Sequence, residues 1–237
     1  CSSDLTFGGI FSAPITVSTL PQQQSNPLIG IDDNGDGYAV WETDSKDLYT
    51  AESNGLIWNS PSLLHGNGTN TNPSLSVSGI GRALVAWSNF NLNEIRSDWY
   101  VAPSWSKIPS VISPIDVSAP AAAAFMNHGF VTWQDQNTGL IQAINYNATE
   151  WVHPPVNVST SLFNDVPVIS VESSSTAAIS WINQATGDVQ SVQFPNGGVV
   201  GPEQIVSTGS SNFNLKTASS GTQTVLTWTN ADTVDYI

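Results

Sequence analysis

A tryptophan returns along this chain at an almost constant interval, each time at the end of a short strand-like stretch. The intervals between successive tryptophans are 46, 46, 48 and 47 residues. The five stretches are Tyr38–Trp41, Leu84–Trp87, Phe130–Trp133, Ala178–Trp181 and Val225–Trp228. Constant spacing at this length predicts a repeat architecture, because each repeat folds as one supersecondary unit. Gly, Pro and Asn interrupt the chain about every ten residues, so the units are predicted to be short strands and not helices.

A second column of bulky residues supports the repeat. It consists of Trp58, Trp105 and Trp151, each soon followed by a proline, and Val200 continues it before Pro202. The fifth member would fall after residue 237, but Phe11 fits the column. The segment 8–14 matches the segment 55–61 almost residue for residue. The N-terminal segment is therefore predicted to supply the strand that the last repeat lacks.

These columns predict an all-β fold, a five-bladed β-propeller of four-stranded antiparallel blades in a single domain. We expect the N-terminal strand to complete the last blade and close the ring. In the first blade, strands are expected over 28–31, 38–42, 48–51 and 56–59. The alternative is a fragment of a longer propeller. The expected blades are 15–61, 62–109, 110–155, 156–203, and 204–237 together with 1–14.

Charge and composition narrow the partners. Five Lys and Arg against nineteen Asp and Glu give a net charge of −14, which repels the phosphates of nucleic acids. We therefore expect no nucleic-acid partner. Polarity is carried mostly by Asn, Ser, Thr and Gln, which suit neutral polar ligands such as glycans. No run of 18 apolar residues occurs in the sequence, so no membrane-spanning helix is expected.

The single cysteine, Cys1, is followed by two serines. This arrangement resembles the mature end of a bacterial lipoprotein, in which the first residue is a lipid-bearing cysteine. The resemblance implies lipid attachment at Cys1 and an extracytoplasmic protein, secreted or anchored at the cell envelope. The alternative is that Cys1 carries no lipid. With one cysteine, no internal disulfide can form.

The stretch 31–42 has the beginning of a calcium loop, with oxygen donors at Asp32, Asn34 and Asp36. The pattern fails further along, because its ninth position is Val40 and its twelfth is Thr43 where a bidentate Glu is required. The corresponding places of the other repeats hold turn residues, mostly without carboxylates. We therefore predict a hairpin turn, with these three residues as weak metal candidates, and no cofactor.

The stretch 51–58 resembles a degenerate form of the Asp-box, a turn found in the blades of sialidases. Ser53 stands where that motif has its Asp. The box stabilises the fold in that family, so the resemblance implies a propeller and not sialidase activity. This chain also has too few basic residues for the arginine cluster that a sialidase needs to bind its substrate.

Catalytic residues are hard to find in the sequence. A glycosidase needs two carboxyl groups that face each other across the scissile bond, but the five expected inner strands contain no acid. Asp165, Asp116 and Glu42 only flank strands. No nucleophile elbow or phosphate loop is present either. We therefore expect a non-catalytic protein, with a glycosidase as the less favoured alternative.

Two binding functions remain open. The preferred one is a protein-interaction module in a cell-surface or envelope assembly, and the alternative is a lectin-like, carbohydrate-binding propeller. Trp99 stands outside both tryptophan columns and is predicted to mark a docking edge on the second blade. Further candidate binding residues are the aromatic platforms Trp58, Trp105 and Trp151 and the loop amides Asn26 and Asn72.

Overall fold

A computed structural model of the chain describes residues 14–79, 81–107, 109–113, 118–173, 175–209, 212–220, 223–230 and, by backbone alone, 233–236. These residues form twenty β-strands and no helix, which confirms the predicted all-β class. In this part of the chain, accordingly, no helix is long and apolar enough to cross a membrane.

The strands form five antiparallel sheets that follow one another along the chain. The first contains β1 (Gln24–Ile31), β2 (Gly37–Thr43), β3 (Leu48–Ser53) and β4 (Ser62–His65). The second contains β5 (Asn70–Ser78), β6 (Arg82–Asn89), β7 (Glu94–Val101), β8 (Ser104–Trp105) and β9 (Ser110–Ser113). The third contains β10 (Ala121–Phe125), β11 (His128–Gln134), β12 (Ile141–Tyr146) and β13 (Val156–Asn157). The fourth contains β14 (Val168–Ser173), β15 (Thr176–Ile182), β16 (Val189–Pro195) and β17 (Gln204–Ser207). The fifth contains β18 (Asn212–Ser220), β19 (Gln223–Asn230) and β20 (Thr233–Tyr236).

Consecutive sheets lie side by side, with the first strand of each sheet against the first strand of the next. The closely packed pairs are β1 with β5, β5 with β10, β10 with β14, and β14 with β18. Among the described residues, β18 and β1 do not form such a pair. The sheets are therefore stacked as blades are, while the closure of the ring is not seen in the described part of the chain.

The repeated tryptophans lie between the sheets, as predicted. Trp87, Trp133 and Trp181 are fully buried, and Trp41 and Trp228 are nearly so. Trp87, Trp133 and Trp228 each pack in a cluster with an apolar residue from the outer strand of the preceding sheet, and these residues are Leu64, Ile112 and Val206. Trp181 packs with Val158, which directly follows β13. The side chains of a strand alternate between its two faces, so the neighbours of the tryptophan on the same strand pack against the following sheet.

The residue after the tryptophan links its sheet to the segment that leads into the next one. In the first sheet, the backbone N–H of Asn72 donates to Oε1 of Glu42 at 2.7 Å. In the second, the hydroxyl of Ser88 donates to the carbonyl of Ser118 at 3.1 Å. In the third, the amide of Gln134 donates to the carbonyl of Asn164. These bonds satisfy buried polar groups and so hold neighbouring sheets in register.

The outer strands lie further along the chain than expected. The predicted fourth strand of the first blade, residues 56–59, forms only an isolated bridge between Ser53 and Trp58. The paired outer strand is β4, which begins after Pro61. The reason is that the backbone turns at Gly55, whose φ is +81°, and at Asn54, whose side-chain oxygen accepts from the backbone N–H groups of Leu56 and Ile57. The predicted closing segment 1–13 lies outside the described residues.

The burial of the tryptophans generates a stability prediction. Trp133→Ala should lower the free energy of unfolding by about 3–5 kcal/mol, because it removes a large aromatic side chain from a packed core. Denaturant unfolding measures the change. Phe90→Ala is the control, since Phe90 is 60% exposed and its loss should change the free energy by no more than about 0.5 kcal/mol. Equal effects of the two substitutions would contradict the assignment of Trp133 to the core.

Candidate functional site

A cavity of about 770 Å³ opens between the second and third sheets. It lies at the end of the strands where β5 turns into β6, β7 turns into β8, and β12 leads towards β13. Its lining combines aromatic rings, charged groups and hydroxyls. This combination of an apolar surface with a few polar groups is typical of small-molecule and glycan sites.

Three aromatic rings form one side of the cavity. The rings of Trp99 and Tyr146 have their centroids 5.3 Å apart, and those of Tyr146 and Trp151 are 5.5 Å apart. Trp99 comes from β7, while the other two come from the third sheet. Trp99 and Tyr146 are half-buried and Trp151 is buried. The contacts between the rings fix their orientation, so part of their apolar surface faces the cavity.

Gly129 makes room for Trp99. A Cβ atom at this glycine would lie 2.5 Å from Cζ2 of Trp99, which is too close for any real contact. The indole of β7 therefore packs directly on the backbone of β11. The local sequence His128–Gly129 thus decides how deep Trp99 sits between the two sheets.

Asp98 anchors the segment that carries Trp99. Its Oδ1 accepts from the backbone N–H of Trp99 at 2.7 Å and from the hydroxyl of Ser106. Its Oδ2 accepts from the backbone N–H of Lys107 at 2.9 Å. Burial raises the pKa of the Asp98 carboxyl, while these hydrogen bonds act in the opposite direction. The carboxylate thus ties β7 to the segment after β8 that forms one wall of the cavity.

A basic, an acidic and an imidazole side chain also line the cavity. They are the guanidinium of Arg82, the carboxylate of Glu150 and the imidazole of His153. Within the described part of the chain, none of the three takes part in an ion pair. The guanidinium is a multiple donor and the carboxylate is an acceptor, and both have free capacity here. Hydroxyls at Ser104, Ser110 and Thr149 complete the lining.

The other junctions between sheets do not repeat this lining. Trp99 pairs with the residue three positions before the repeated tryptophan of its sheet. The residues that pair with this position in the first, third and fourth sheets are Glu52, Asn145 and Gln193. Glu52 accepts from Nε1 of Trp105 at 2.7 Å, and Asn145 donates to the carbonyl of Asn196 at 2.9 Å. Gln193 borders a smaller cavity and donates to Glu172 at 3.3 Å. Three rings also meet at the junction of the first two sheets, those of Tyr38, Tyr100 and Trp105. Among the described residues, the combination of Trp99 with the unpaired groups around the cavity is therefore what distinguishes the junction of the second and third sheets.

The structure distributes the predicted aromatic residues among different roles. Trp99 and Trp151 line the same cavity, although Trp151 belongs to the second tryptophan column and Trp99 to neither column. Trp58 is half-buried against the core of the first sheet. Trp105 and Trp151, which were predicted to be aromatic platforms, are both buried, and each packs on a tyrosine of the neighbouring strand.

Asn26 and Asn72 have a structural role in the backbone of the first strands of their sheets. Both have φ of 50°, and each lies where a first strand shifts its register against the second. Asn tolerates this left-handed conformation better than most residues. The side chain of Asn26 donates to Oε1 of Glu42 at 3.0 Å. Neither residue lines the aromatic cavity, which lies at the opposite end of the strands.

Sequence reasoning missed Arg82, Tyr146, Glu150 and His153. Three of them fall in the stretch 146–153, where an aromatic, an acid and a histidine surround Trp151. The counterpart 100–107 repeats the tyrosine and the tryptophan but has neither the acid nor the histidine, and that difference is the signal that could have identified the stretch. Arg82 carries no such signal, since it looks like a solvated residue at the start of a strand.

The acidic turn after β1 is a folded hairpin. Oδ1 of Asp32 accepts from the backbone N–H groups of Asn34 and Asp36 at 2.9 and 3.0 Å, and Oδ2 accepts from the Tyr38 hydroxyl at 3.2 Å. Burial and the neighbouring carboxylate of Asp32 raise the pKa of Tyr38. The described residues contain no group of three or more acidic, His or Cys side chains arranged to hold a metal ion.

The acids considered for catalysis do not converge in the described structure. Glu42 is buried at the junction of the first two sheets, where Lys46 lies 3.6 Å from it. Asp165 accepts from the next backbone N–H, and Asp116 lies outside the described residues. The expectation of acid-free inner strands is wrong at one place, because β14 extends to Ser173 and so includes Glu172.

Comparison with solved structures places the fold. The chain is similar to the BP39L lectin from Burkholderia pseudomallei, with a TM-score of 0.66 and 18% identity over 95% of this chain and 71% of the lectin. It is similar to the six-bladed β-propeller lectin of Aleuria aurantia, with a TM-score of 0.55 and 13% identity over 90% of this chain and 73% of that one. It is also similar to the Hadza microbial sialidase Hz136, with a TM-score of 0.57 and 11% identity over 91% of this chain. The chain therefore has the β-propeller fold.

The sequence itself carries no such likeness. No protein-family profile and no curated protein matches the chain. The chain spans 56% of the length of the sialidase. At identities of 18% or less, the similarity defines the fold and not the ligand, because one fold hosts many functions.

The geometry of the acidic turn generates a prediction about metal. The Asp32 carboxylate is already engaged in hydrogen bonds, so we expect no calcium to bind at the turn. Adding calcium or a chelator should then leave the melting temperature unchanged, whereas an ion that binds only the native state would raise it. Asp32→Ala should lower the free energy of unfolding by about 1–3 kcal/mol, since it removes the acceptor of buried hydrogen bonds. Thermal melts of both proteins test this. A calcium-dependent rise that Asp36→Ala abolishes would contradict it.

Proposed function

We propose that the protein is a glycan-binding β-propeller whose site is the cavity between the second and third sheets. One observation carries the proposal: the aromatic side of the cavity, formed by Trp99, Tyr146 and Trp151, stands next to the unpaired Arg82 and Glu150. Aromatic faces pack against the C–H surface of a sugar ring, while charged groups bind its hydroxyls. The similarity of the fold to lectin propellers supports the same choice.

The electrostatics of the site favour a glycan without strong negative charge. The chain has a net charge of −14, and Glu150 lines the cavity. Arg82 supplies a local positive group that can donate to hydroxyl or carbonyl oxygens of a sugar. A highly anionic polymer would be repelled by the rest of the surface.

Binding without catalysis is part of the proposal. Hydrolysis of a glycosidic bond by the usual mechanism needs a pair of carboxyl groups, about 5 Å apart or further, across the bond. Among the described residues that line the cavity, Glu150 is the one carboxylate. This supports a lectin over a glycosidase.

A protein partner is the second candidate. Trp99 was the residue that favoured a docking edge, but it is half-buried and packs on Tyr146 inside a concave site. A concave aromatic site suits a small ligand better than a flat protein surface.

The proposal includes a ring of five blades, which the five repeated tryptophans and the five consecutive sheets support. Extracytoplasmic location and a lipid at Cys1 stay predictions, since Cys1 lies outside the described residues.

A glycan array followed by titration of the best glycan tests the site. Trp99→Ala should lower the affinity about tenfold or more, which corresponds to about 1.4 kcal/mol. Glu150→Gln should also lower it, and because Glu150 is exposed the melting temperature should not change. The matched controls are Gln193→Ala, at the equivalent place of another junction, and Asp44→Asn, an exposed carboxylate at the other end of the strands. Undiminished affinity in both site variants would refute the proposal.

The position of Trp99 can be tested without changing Trp99 itself. In Gly129→Ala the new methyl group displaces the indole, whose Cζ2 would lie 2.5 Å away. We expect weaker glycan binding and an altered near-ultraviolet circular dichroism spectrum. Gly197→Ala is the control, since a Cβ there meets no atom within 4 Å. If Gly129→Ala binds the glycan as tightly as the control does, the depth of Trp99 does not matter for the site.

A further inference from the structure

One buried carboxylate joins two residues that line the aromatic cavity. Trp99 and Ser106 both border the cavity, and both are bonded to Asp98. Oδ1 of Asp98 accepts from the backbone N–H of Trp99 at 2.7 Å and from the Ser106 hydroxyl, and Oδ2 accepts from the backbone N–H of Lys107 at 2.9 Å. Asp98 itself is 2% exposed and does not border the cavity. It therefore acts on the site through its neighbours and not by contact with a ligand.

The hydrogen bonds to Asp98 require its charged form. All three come from donors, and an ionised carboxylate only accepts hydrogen bonds. Protonation turns one of the two oxygens into a donor. A proton on either oxygen would thus set one donor against another and would break at least one of the bonds to Trp99, Ser106 or Lys107.

The segment 104–107 depends on these bonds for its conformation. Lys107 has a φ of 55°, in the left-handed region that residues with a Cβ adopt only at a cost. Its N–H bond to Asp98 supports this conformation. The backbone N–H of Ser106 donates to the carbonyl of Trp99 at 3.0 Å, so a displacement of the segment is passed on to β7 at Trp99.

The surroundings of Asp98 supply no paired cation. The titratable side chains at this junction belong to Tyr38, Glu52, His65, Arg96, Tyr100 and Lys107. Among the described residues, none of them forms an ion pair with Asp98. The imidazole of His65 is near enough to feel the Asp98 charge, but burial and the Arg96 guanidinium lower the pKa of His65. Burial therefore prevails at Asp98 and raises the pKa of its carboxyl, against the effect of the hydrogen bonds.

Protonation of Asp98 does not weaken the fold. A carboxyl whose pKa is higher in the native state than in the unfolded chain binds its proton more readily when folded. This group therefore adds stability in acid, and the contribution is lost as the pH rises through the native pKa. The change at the cavity thus takes place in a folded protein, at a pH above the ordinary Asp value of about 3.9.

We propose that Asp98 is a positioning residue whose negative charge holds Trp99 and Ser106 in place, so that the affinity for the glycan falls when Asp98 is protonated. This inference rests on the proposed function of the cavity. The loss of a bond to the carboxylate frees the segment 104–107, which carries the lining hydroxyls of Ser104 and Ser106, and it loosens the backbone of Trp99. The site is then no longer preorganised for its ligand, and binding has to restore the order.

Nuclear magnetic resonance of the full chain tests the effect of the charge without a glycan. As the pH falls from about 7.5 to about 4.5, the backbone amide signals of Trp99 and Lys107 should shift together, with one midpoint above about 3.9. In Asp98→Asn this common midpoint should be absent. Asp44→Asn, which changes an exposed carboxylate, is the control and should keep it. Amide signals that do not move in the unchanged protein, or a midpoint that survives in Asp98→Asn, overturn the proposal.

The consequence for binding is tested with the glycan that binds best on the array. At about pH 7, Asp98→Asn should bind it about tenfold more weakly than the unchanged protein. At about pH 4.5 the ratio of the two affinities should approach one, because both proteins then carry a neutral side chain at this position. The ratio removes any effect of Glu150 and His153, which both proteins share.

The outcomes separate this inference from the proposed function. A ratio of about one at neutral pH, or a ratio that stays constant into acid, overturns the role of Asp98 while glycan binding stands. An array on which no glycan binds refutes the proposed function instead. The amide signals of Trp99 and Lys107 then still decide whether the charge of Asp98 holds the segment 104–107.

Discussion

The contact between a tryptophan of one sheet and an apolar residue of the preceding outer strand is the interaction on which this fold depends. Leu64, Ile112 and Val206 of the outer strands make it, Val158 makes it directly after β13, and Val17 packs on Trp41 at the start of the series. A large aromatic ring fills the gap between two twisted sheets that would otherwise leave a void. The contact also explains the bulge in the outer strands, which turns one apolar residue towards the next sheet.

This constraint acts on the middle of each sheet and leaves the ends of the strands free to vary. At the place of Trp99 the other sheets have Glu52, Asn145 and Gln193, and each makes a polar contact of its own. The junction of the second and third sheets could therefore acquire Trp99 and a set of unpaired charges, beside a tyrosine–tryptophan pair that the preceding junction also has, without disturbing the repeat. Variation around a rigid scaffold is how binding sites commonly arise on repeated folds.

The likeness to lectins and to a sialidase concerns the arrangement of strands. With identities of 18% or less, the ligand has to be argued from the side chains at the site. The rings of Trp99 and Tyr146 offer an apolar face, and Arg82 and Glu150 offer a donor and an acceptor close by. These groups together define the chemistry that a glycan needs, while the fold alone would fit an enzyme equally well.

The sequence by itself determined the all-β class, the period of the sheets and the burial of the five tryptophans, because a side chain that recurs at a fixed interval meets the same environment in every repeat. It also singled out Trp99 as unlike the rest. Only the tertiary structure decided that Trp99, Tyr146 and Trp151 share one cavity and that Arg82 borders it. The reason is physical: residues of different sheets meet across a junction, and the distance between them depends on how two sheets pack, which no pattern within a single repeat contains.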